Sequence, residues 1–317
     1  MLKLNHLTGF GSGAAAALPG IGYVSGGSRG SISALTDRLV FATNTTAAAT
    51  DSNLTGVRYG HAGVSNPNSD GYVAGGTTGP PGWALQVSAE KMAYSTETYA
   101  TATDADLSAA RQFLAGISEG STNGYFVGGE TMNIAEKLVF ATDTTAAETD
   151  AKLSAIRAQL PGVSDGSTNG YVAGGRQEAE TATFVAIADK LVFATDTTAA
   201  ATDADLSFTT RHHGGVSDGS TNGYFGGGLP DGGVITTVDK LVFSTDTSQT
   251  STDSALSVAR FGLASVNDNG ANGYFLSGST GATTDKLVFA TDTTAAETDA
   301  DLSSSGYFFG SVSSNSV

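Results

Sequence analysis

Cysteine is absent from this 317-residue chain, which excludes disulfides, thiol nucleophiles and cysteine-ligated zinc. Basic residues are also few, with 15 Lys and Arg against 31 Asp and Glu and a formal net charge of −16. Phosphate backbones repel such a surface, so nucleic acid is not expected as a partner. No apolar run reaches the roughly 18 residues of a membrane-spanning helix, and no basic amphipathic helix occurs. Membrane insertion is therefore not expected.

Proline is scarce, with 6 residues, whereas glycine is abundant, with 42, and 39% of the chain is hydrophobic. This hydrophobic content is enough for a packed core. Because no apolar run is long enough for a helix, the composition favours many short strands joined by tight turns. The predicted fold class is all-β.

Two motifs recur six times along the chain. The first is Gly-Tyr, and its first five copies run on into a glycine pair. The second is an acidic residue, a basic residue, two apolar residues and an aromatic residue. The tyrosines of the first motif are Tyr23, Tyr72, Tyr125, Tyr171, Tyr224 and Tyr274. The aromatic residues of the second motif are Phe41, Tyr94, Phe140, Phe193, Phe243 and Phe289.

The spacing of the motifs is fixed on one side and variable on the other. From the aromatic residue of the second motif to the next Gly-Tyr tyrosine, all five intervals are 31 residues. From the tyrosine to the following aromatic residue, the interval ranges from 15 to 22 residues. A fixed framework with one variable loop per unit is typical of a scaffold that presents loops to a partner. The variable loops are residues 28–36, 77–89, 130–135, 176–188, 229–238 and 279–284.

Four antiparallel strands are predicted in each unit, named a to d in chain order. Strand a follows a recurrent arginine, and strand b is the Gly-Tyr segment. Strand c is the Lys-Leu-Val-Phe segment, and strand d is a small, polar Thr-Ala-Ala segment. One such sheet cannot bury both faces alone, so units of about 50 residues predict the blades of a propeller.

The end of the chain departs from the repeat. After Phe289 no further strand c follows, and residues 306–312 stand in the register of a strand a. This segment is predicted to complete the first blade and close the ring. The predicted domains are an N-terminal arm at 1–20 and a six-bladed β-propeller at 21–317. The predicted blades are about 21–56 plus 304–317, 57–109, 110–155, 156–208, 209–258 and 259–303.

The unit resembles the kelch repeat: an arginine, small and apolar residues, an aromatic strand ending in Gly-Gly, a variable loop, then an acidic residue and an aromatic. The resemblance covers roughly residues 20 to 317, but the later tryptophan of the kelch repeat has no counterpart here. The style of the copies, NGYF(V/G)GG and DKLVF(A/S)TDT, is also similar to repeats in virion proteins of cyanophages and other marine phages, notably tail fibres.

The recurrent arginines allow two interpretations. They would form an anion-binding ring on one face, or each would make charge-assisted bonds with an Asp or Glu of strand c. Repetition in nearly every unit favours the structural role. The five arginines of this predicted structural set are Arg58, Arg111, Arg157, Arg211 and Arg260.

No catalytic, cofactor-binding or metal-binding residue is assigned. The acidic Thr-Asp-Ala-Asp-Leu copies carry paired carboxylates that suit calcium, but exposed edge charges that oppose aggregation are the more common role. The adjacent His212 and His213 point to opposite sides of a strand, which disfavours a chelate. No spacing indicates a Ser-His-Asp or Cys-His constellation.

Recognition is predicted in the variable loops. Trp83, the only tryptophan, has a side chain suited to stack on a sugar or anchor a protein partner. Filling the propeller's own loop layer is an equally open role for Trp83. Arg29, Arg176 and Phe184 complete the predicted partner-binding set.

The resemblance implies a non-enzymatic phage virion structural protein, a tail fibre or similar appendage that binds a receptor or another subunit. The expected partners are other virion subunits, further copies of the chain, and a host-surface glycan or protein. The arm at 1–20, a poor match to a signal peptide, would be the assembly contact. The alternative hypothesis is a secreted or cell-surface lectin-like bacterial adhesin. A propeller glycosidase or lyase is a weaker alternative. No cofactor is expected.

Overall fold

A computed structural model describes residues 20–80, 82–177, 183–268 and 270–314. Within these ranges the chain forms short strands and five one-turn 3₁₀ helices. In chain order the strands are β1 (Ile21–Ser25), β2 (Thr36–Val40), β3 (Thr45–Ala48), β4 (Ala62–Asn66), β5 (Asp70–Ala74), β6 (Ala89–Ala93), β7 (Thr98–Thr101), β8 (Ala115–Glu119), β9 (Asn123–Val127), β10 (Ala135–Val139), β11 (Thr144–Glu148), β12 (Arg157–Ala158), β13 (Gly162–Ser164), β14 (Asn169–Ala173), β15 (Arg176–Gln177), β16 (Thr183–Phe184), β17 (Ala188–Val192), β18 (Thr197–Ala200), β19 (Gly214–Ser217), β20 (Asn222–Gly226), β21 (Val238–Val242), β22 (Thr247–Thr250), β23 (Ala264–Asn267), β24 (Asn272–Leu276), β25 (Thr284–Val288), β26 (Thr293–Ala296) and β27 (Gly310–Ser314). The 3₁₀ helices are η1 (Thr50–Ser52), η2 (Thr103–Ala105), η3 (Thr202–Ala204), η4 (Thr252–Ser254) and η5 (Thr298–Ala300).

The strands of the described residues assemble into six four-stranded antiparallel sheets and one small three-stranded sheet. In the order a-b-c-d the large sheets are β27-β1-β2-β3, β4-β5-β6-β7, β8-β9-β10-β11, β13-β14-β17-β18, β19-β20-β21-β22 and β23-β24-β25-β26. The small sheet, β12-β15-β16, is built on the fourth variable loop. The prediction of an all-β chain made of four-stranded antiparallel sheets is confirmed, and the arrangement is propeller-like. No helix in the described ranges is long and apolar enough to cross a membrane.

Strand a of each large sheet lies innermost. Each of these inner strands contacts the inner strands of two other sheets, in the order β27, β4, β8, β13, β19, β23 and back to β27. Strand b is buried along nearly its whole length, with its tyrosine fully buried, because neighbouring sheets cover both of its faces. Strand d is mostly exposed and forms the outer edge, as its small polar sequence predicts.

The C-terminal strand β27 belongs to the sheet that contains the first described strand. It pairs with β1 from Ile21↔Ser314 to Ser25↔Gly310. The segment predicted for this position, 306–312, therefore forms strand only from Gly310 onward. Phe308, just before it, has a left-handed φ of 63°, which interrupts an extended conformation.

The sheets have two distinct ends, because strands a to d alternate in direction. The b–c loops and the d–a connections leave from one end, called here the loop end. The a–b and c–d turns leave from the opposite end, called the turn end. Strand b starts at the turn end and strand a finishes there, so Ile21 and Ser314 both lie at the turn end.

Candidate functional site

Four of the five predicted structural arginines are buried in ion pairs with strand c. Arg111 and Arg157 are paired with Glu136 and Asp189, each at 2.5 Å with both side chains fully buried. The other two pairs are Arg58–Glu90 at 2.8 Å and Arg260–Asp285 at 2.7 Å. Burial lowers the pKa of Arg58 and Arg157, but the paired carboxylates oppose that effect. These arginines hold the sheets and are not available to bind an external anion.

Arg29, predicted to bind a partner, belongs instead with these framework arginines. Its side chain is only 3% exposed, its Nη1 lies 2.6 Å from Asp37, and its guanidinium stacks over Phe309 at 4.9 Å. The reason lies in the last unit, where Gly306 stands in the arginine register. A Cβ on Gly306 would lie 3.0 Å from Arg29 Cγ, so the missing side chain leaves room for an arginine from the loop.

Arg211, predicted to be structural, lies elsewhere. Thr210 takes the arginine register, and Arg211 extends at the loop end with its guanidinium 4.3 Å from the centre of the Phe184 ring. Its Nη1 donates a long hydrogen bond of 3.4 Å to Gln159 Oε1. Burial and the neighbouring charge of Arg176 lower its pKa. Arg176, Arg211 and Phe184 are thus brought together.

A circuit of backbone hydrogen bonds runs across the loop end. One residue just before each inner strand donates its N–H to the carbonyl oxygen of its counterpart in the preceding sheet, at 2.6–2.9 Å. Gly60 donates to Phe308, so the last bond returns to the start. All six residues have a positive φ, between 56° and 73°. They are Gly60, Phe113, Gln159, His212, Gly262 and Phe308.

Two members of this circuit are glycines that lie close to neighbouring aromatic residues. A Cβ on Gly262 would lie 2.6 Å from Tyr307 Cβ, and one on Gly60 would lie 3.0 Å from the Phe113 ring. Contacts at or below about 3 Å are not tolerated without displacement. The glycines therefore make room for aromatic rings from neighbouring sheets.

Seven rings form a continuous cluster at the loop end, called here the aromatic surface. Phe113, His212 and Phe308 meet one another with ring centroids 4.5–5.3 Å apart. Burial and the nearby Arg211 charge lower the pKa of His212 to about 3, so it is neutral at neutral pH. The members of the surface are Tyr59, Trp83, Phe113, His212, Phe261, Tyr307 and Phe308.

Trp83 stands at the edge of the aromatic surface and is 57% exposed. Its ring packs edge-on against Tyr59 at 6.2 Å, and its backbone N–H donates to Gly79 O at 2.7 Å. Its φ is 42°, in the left-handed region that bulky side chains rarely adopt. A strained backbone thus holds a large apolar side chain in solvent.

The exposed large apolar side chains of the described residues are all at the loop end. Trp83, Tyr307 and seven aliphatic residues make up this set, and each lies in a b–c loop or a d–a connection. The aliphatic members are Leu35, Val57, Leu85, Val87, Ile156, Val234 and Val258. Exposed apolar side chains concentrated at one end of a molecule are typical of an interaction surface.

The turn end has a different chemistry. Lys91 of strand c lies 2.9 Å from Asp143 in the c–d turn of the next sheet, and Tyr72 hydrogen-bonds the same carboxylate. This tyrosine–lysine–aspartate clamp recurs at the next three junctions, with Lys–Asp distances of 2.7–2.9 Å. At the junction to the first sheet, Asn44 takes the place of the aspartate. The charged groups of this end therefore join the sheets to one another.

A cavity of about 280 Å³ lies between the inner strands. Glycine, alanine, serine and valine residues of the inner strands make up much of its wall, and its serines cross-link the strands. The Ser313 N–H donates to the Ser65 hydroxyl and the Ser65 N–H to the Ser118 hydroxyl, both at 2.9 Å. Side chains of the backbone circuit lie at its loop end. In the part of the chain that is described, no three His, Asp or Glu side chains converge to hold a metal ion.

In comparisons with known proteins, no family model and no curated protein matches this chain. The similarity to kelch repeats and to phage virion repeats therefore rests on the motifs alone.

The motifs identified only part of the site. Trp83 was singled out as the only tryptophan, but Tyr59, Phe113, Phe261 and Phe308 were not. They stand one or two residues after the arginine register, where a comparison of the six copies shows aromatic residues in several units and no fixed residue type. That variability beside a fixed arginine is the signal that marks them.

Proposed function

We propose that this chain is a non-enzymatic structural and recognition protein of a phage virion, a tail fibre or similar appendage. In this proposal the aromatic surface binds a receptor or another subunit, and the turn end faces the particle. The observation that carries the proposal is the separation of the two ends. The exposed apolar side chains lie at the loop end, whereas Ile21 and Ser314 lie together at the turn end.

The proposed architecture is a six-bladed, kelch-like β-propeller whose first blade takes its inner strand from the C-terminal segment. The six four-stranded sheets and the order of contacts between inner strands support it. The backbone circuit of six residues, one for each sheet, supports it further. In a propeller, connections at one end are adjacent and build a shared binding surface.

The energetics of the aromatic surface favour a binding role over a purely structural one. An exposed indole forfeits roughly 2 kcal/mol of burial, and a partner that covers it recovers this free energy. The rings at the centre are already packed against one another, so little side-chain entropy is lost on binding. Trp83 is therefore the residue expected to dominate the affinity.

The location is tested by mass spectrometry of purified particles of the phage that encodes the chain. The protein should be present in intact, nuclease-treated particles, with an abundance that fits an appendage. Its absence from particles, with presence in infected cells, would contradict the virion role.

The binding surface is tested with the purified protein on host cells. Trp83→Ala should weaken binding at least tenfold, because truncation of an aromatic anchor that a partner covers typically costs about 2 kcal/mol. Thr245→Ala, in an exposed c–d turn at the turn end, is the matched control and should bind as the parent does. Equal loss in both variants, or in neither, would place recognition elsewhere.

The second candidate function is a lectin-like adhesin, favoured by the exposure of Trp83 beside Tyr59. An indole face packs well against the apolar face of a sugar ring. A glycan array separates the two candidates. A sugar signal that Trp83→Ala abolishes, together with absence from virions, would favour the adhesin.

A further inference from the structure

Among the residues that the structure describes, Asp239 is the one strand-c carboxylate of its set without an arginine partner. In the described residues, the five equivalent carboxylates are each paired with an arginine at 2.5–2.8 Å. Asp239 is fully buried, and its hydrogen bonds come from the Ser207 N–H at 2.6 Å and the Ser207 hydroxyl at 2.8 Å. A buried carboxylate without a compensating cation is costly.

The paired sites show what surrounds this position. Arg157 donates from Nη1 to the carbonyl oxygens of Gly174 and Ile187, at 2.7 and 2.8 Å, and from Nη2 to Asp189. The corresponding bonds of Arg58 to Gly75 and Ser88 are 3.3 and 2.9 Å. In these two units the guanidinium therefore lies in a cup of one carboxylate and two backbone carbonyls from the start and end of the b–c loop. Arg111 and Arg260 instead donate to the carbonyls of Ala109 and Phe126 and of Val258 and Phe275.

The fifth unit preserves the backbone of this cup. The Gly174 N–H donates to Ile187 O at 3.0 Å, and the Gly227 N–H donates to Thr237 O at 3.0 Å. Each pair stands at the same place relative to its carboxylate, Asp189 in one unit and Asp239 in the other. The carbonyls of Gly227 and Thr237 therefore stand where the corresponding carbonyls bind Arg58 and Arg157 in the second and fourth units.

A second polar group, the Thr210 hydroxyl, lies at the arginine position of the fifth unit. Thr210 is fully buried, and its hydroxyl has no hydrogen-bond partner. A Cβ on Gly228 would lie 2.2 Å from Thr210 Oγ1, whereas a Cβ on Gly129 would lie 3.0 Å from Arg111 Cδ. The Thr210 hydroxyl thus occupies the start of the path that an arginine side chain follows in other units.

We propose that this oxygen cup binds one monovalent metal cation, Na⁺ or K⁺, in the position that a guanidinium occupies in the other five units. The Thr210 hydroxyl stands where the stem of an arginine would begin, and the ligands are the Asp239 carboxylate and the Gly227 and Thr237 carbonyls. All are hard oxygen donors with a single negative charge among them, and this matches a monovalent cation. Ca²⁺ sites use more ligands and usually more carboxylates.

The experiment measures thermal unfolding of the full chain in NaCl, KCl and tetramethylammonium chloride at equal ionic strength. Tetramethylammonium is too large for the cup. The Tm should be a few degrees higher in NaCl or KCl and should rise with the logarithm of the cation concentration. Equal Tm values in the three salts would overturn the proposal. Of NaCl and KCl, the salt that gives the larger increase in Tm identifies the bound cation.

Two variants tie the response to the site. Thr210→Arg supplies the missing guanidinium and should give the same Tm in all three salts. Asp239→Asn removes the charged ligand and should also lose the response, whereas the control Asp285→Asn, in an arginine-paired unit, should keep it. A salt response that persists in Asp239→Asn would overturn the proposal even where Thr210→Arg fails to fold. Crystals soaked in Tl⁺ should show an anomalous peak beside Asp239, and a peak only elsewhere would also overturn it.

Discussion

At the residue scale, the glycine of each Gly-Tyr motif is fixed by the neighbouring sheet. A Cβ on Gly124 would lie 2.5 Å from Val64 Cγ2, in the inner strand of the preceding sheet. The same contact, with a valine or isoleucine at 2.5–2.8 Å, occurs at the other five glycines of the motif. Glycine occurs at this position of the motif because adjacent sheets approach too closely to leave room for a Cβ.

Gly124→Ala should lower the free energy of unfolding by about 1–3 kcal/mol, the usual cost of forcing a methyl group into a packed core. Chemical denaturation monitored by circular dichroism measures it. Gly56→Ala is the control, since a Cβ there has no neighbour within 4 Å and no positive φ. A control variant as unstable as Gly124→Ala would show that loss of glycine itself, and not the contact, is responsible.

Residue pattern predicted the arginine pairs because their charge and spacing repeat. It misplaced Arg29, because a side chain supplied from another segment leaves no trace in the register. It misplaced Arg211 because this arginine follows the register by one residue, where its side chain packs on Phe184 instead. Gly306 and Thr210, the residues that stand in the arginine position, are informative only once the space around them is known.

At the scale of elements, the clamps at the turn end join strands b and c of one sheet to the c–d turn of the next. Burial raises the pKa of Asp143, but hydrogen bonds from Tyr72 and Lys91 and the lysine charge outweigh it, so the pKa lies below its ordinary value. The pKa values of Asp246 and Asp292 are lowered in the same way.

A depressed pKa in the folded state gives stability that is present above the unfolded pKa of about 4 and is lost as the pH falls through the folded pKa. The Tm should therefore fall on acidification below pH about 4. Replacing three of the four clamp aspartates with asparagine should flatten this part of the profile. These residues are Asp143, Asp246 and Asp292.

Asparagine is a suitable replacement, because Asn44 already fills this position at one junction with a φ of 52°. The control replaces three exposed aspartates at the starts of 3₁₀ helices with asparagine and removes the same charge. They are Asp104, Asp203 and Asp253. If the control flattened the pH dependence of the Tm equally, the effect would come from the change in net charge and not from the clamps.

Strand order within each unit was predictable from the two motifs, because strands b and c carry β-forming, apolar segments at a fixed spacing. The lysine–aspartate clamps were not predicted. Their partners are 52–59 residues apart and meet only through the approach of two separate sheets. The small sheet in the fourth loop was also unforeseen, since two-residue strands have no periodicity to detect.

At the scale of the whole molecule, the first sheet depends on a strand from the far end of the sequence. Deleting residues 304–317 would remove β27, including Val312, which packs with Ile21 and Tyr23, and would expose the edge of β1. The truncated chain should lose its cooperative thermal transition, measured by calorimetry.

A circular permutant distinguishes loss of the strand from loss of the terminus. It joins the end of β27 to the start of β1 through a short linker and opens the chain in an exposed loop. The permutant should keep a cooperative transition, since Ser314 and Ile21 are adjacent. A truncated chain as stable as the permutant would contradict the role of β27.

The pairing of β1 with β27 also determines how the molecule responds to a pulling force. Tension applied through the chain before Ile21 and after Ser314 acts at one end of the same antiparallel ladder. The hydrogen bonds would then separate one after another, as in a zipper, and not all at once in shear. A force applied at only one of these two termini does not pull β1 and β27 apart from their shared end. A molecule anchored by a single terminus is therefore not unzipped in this way.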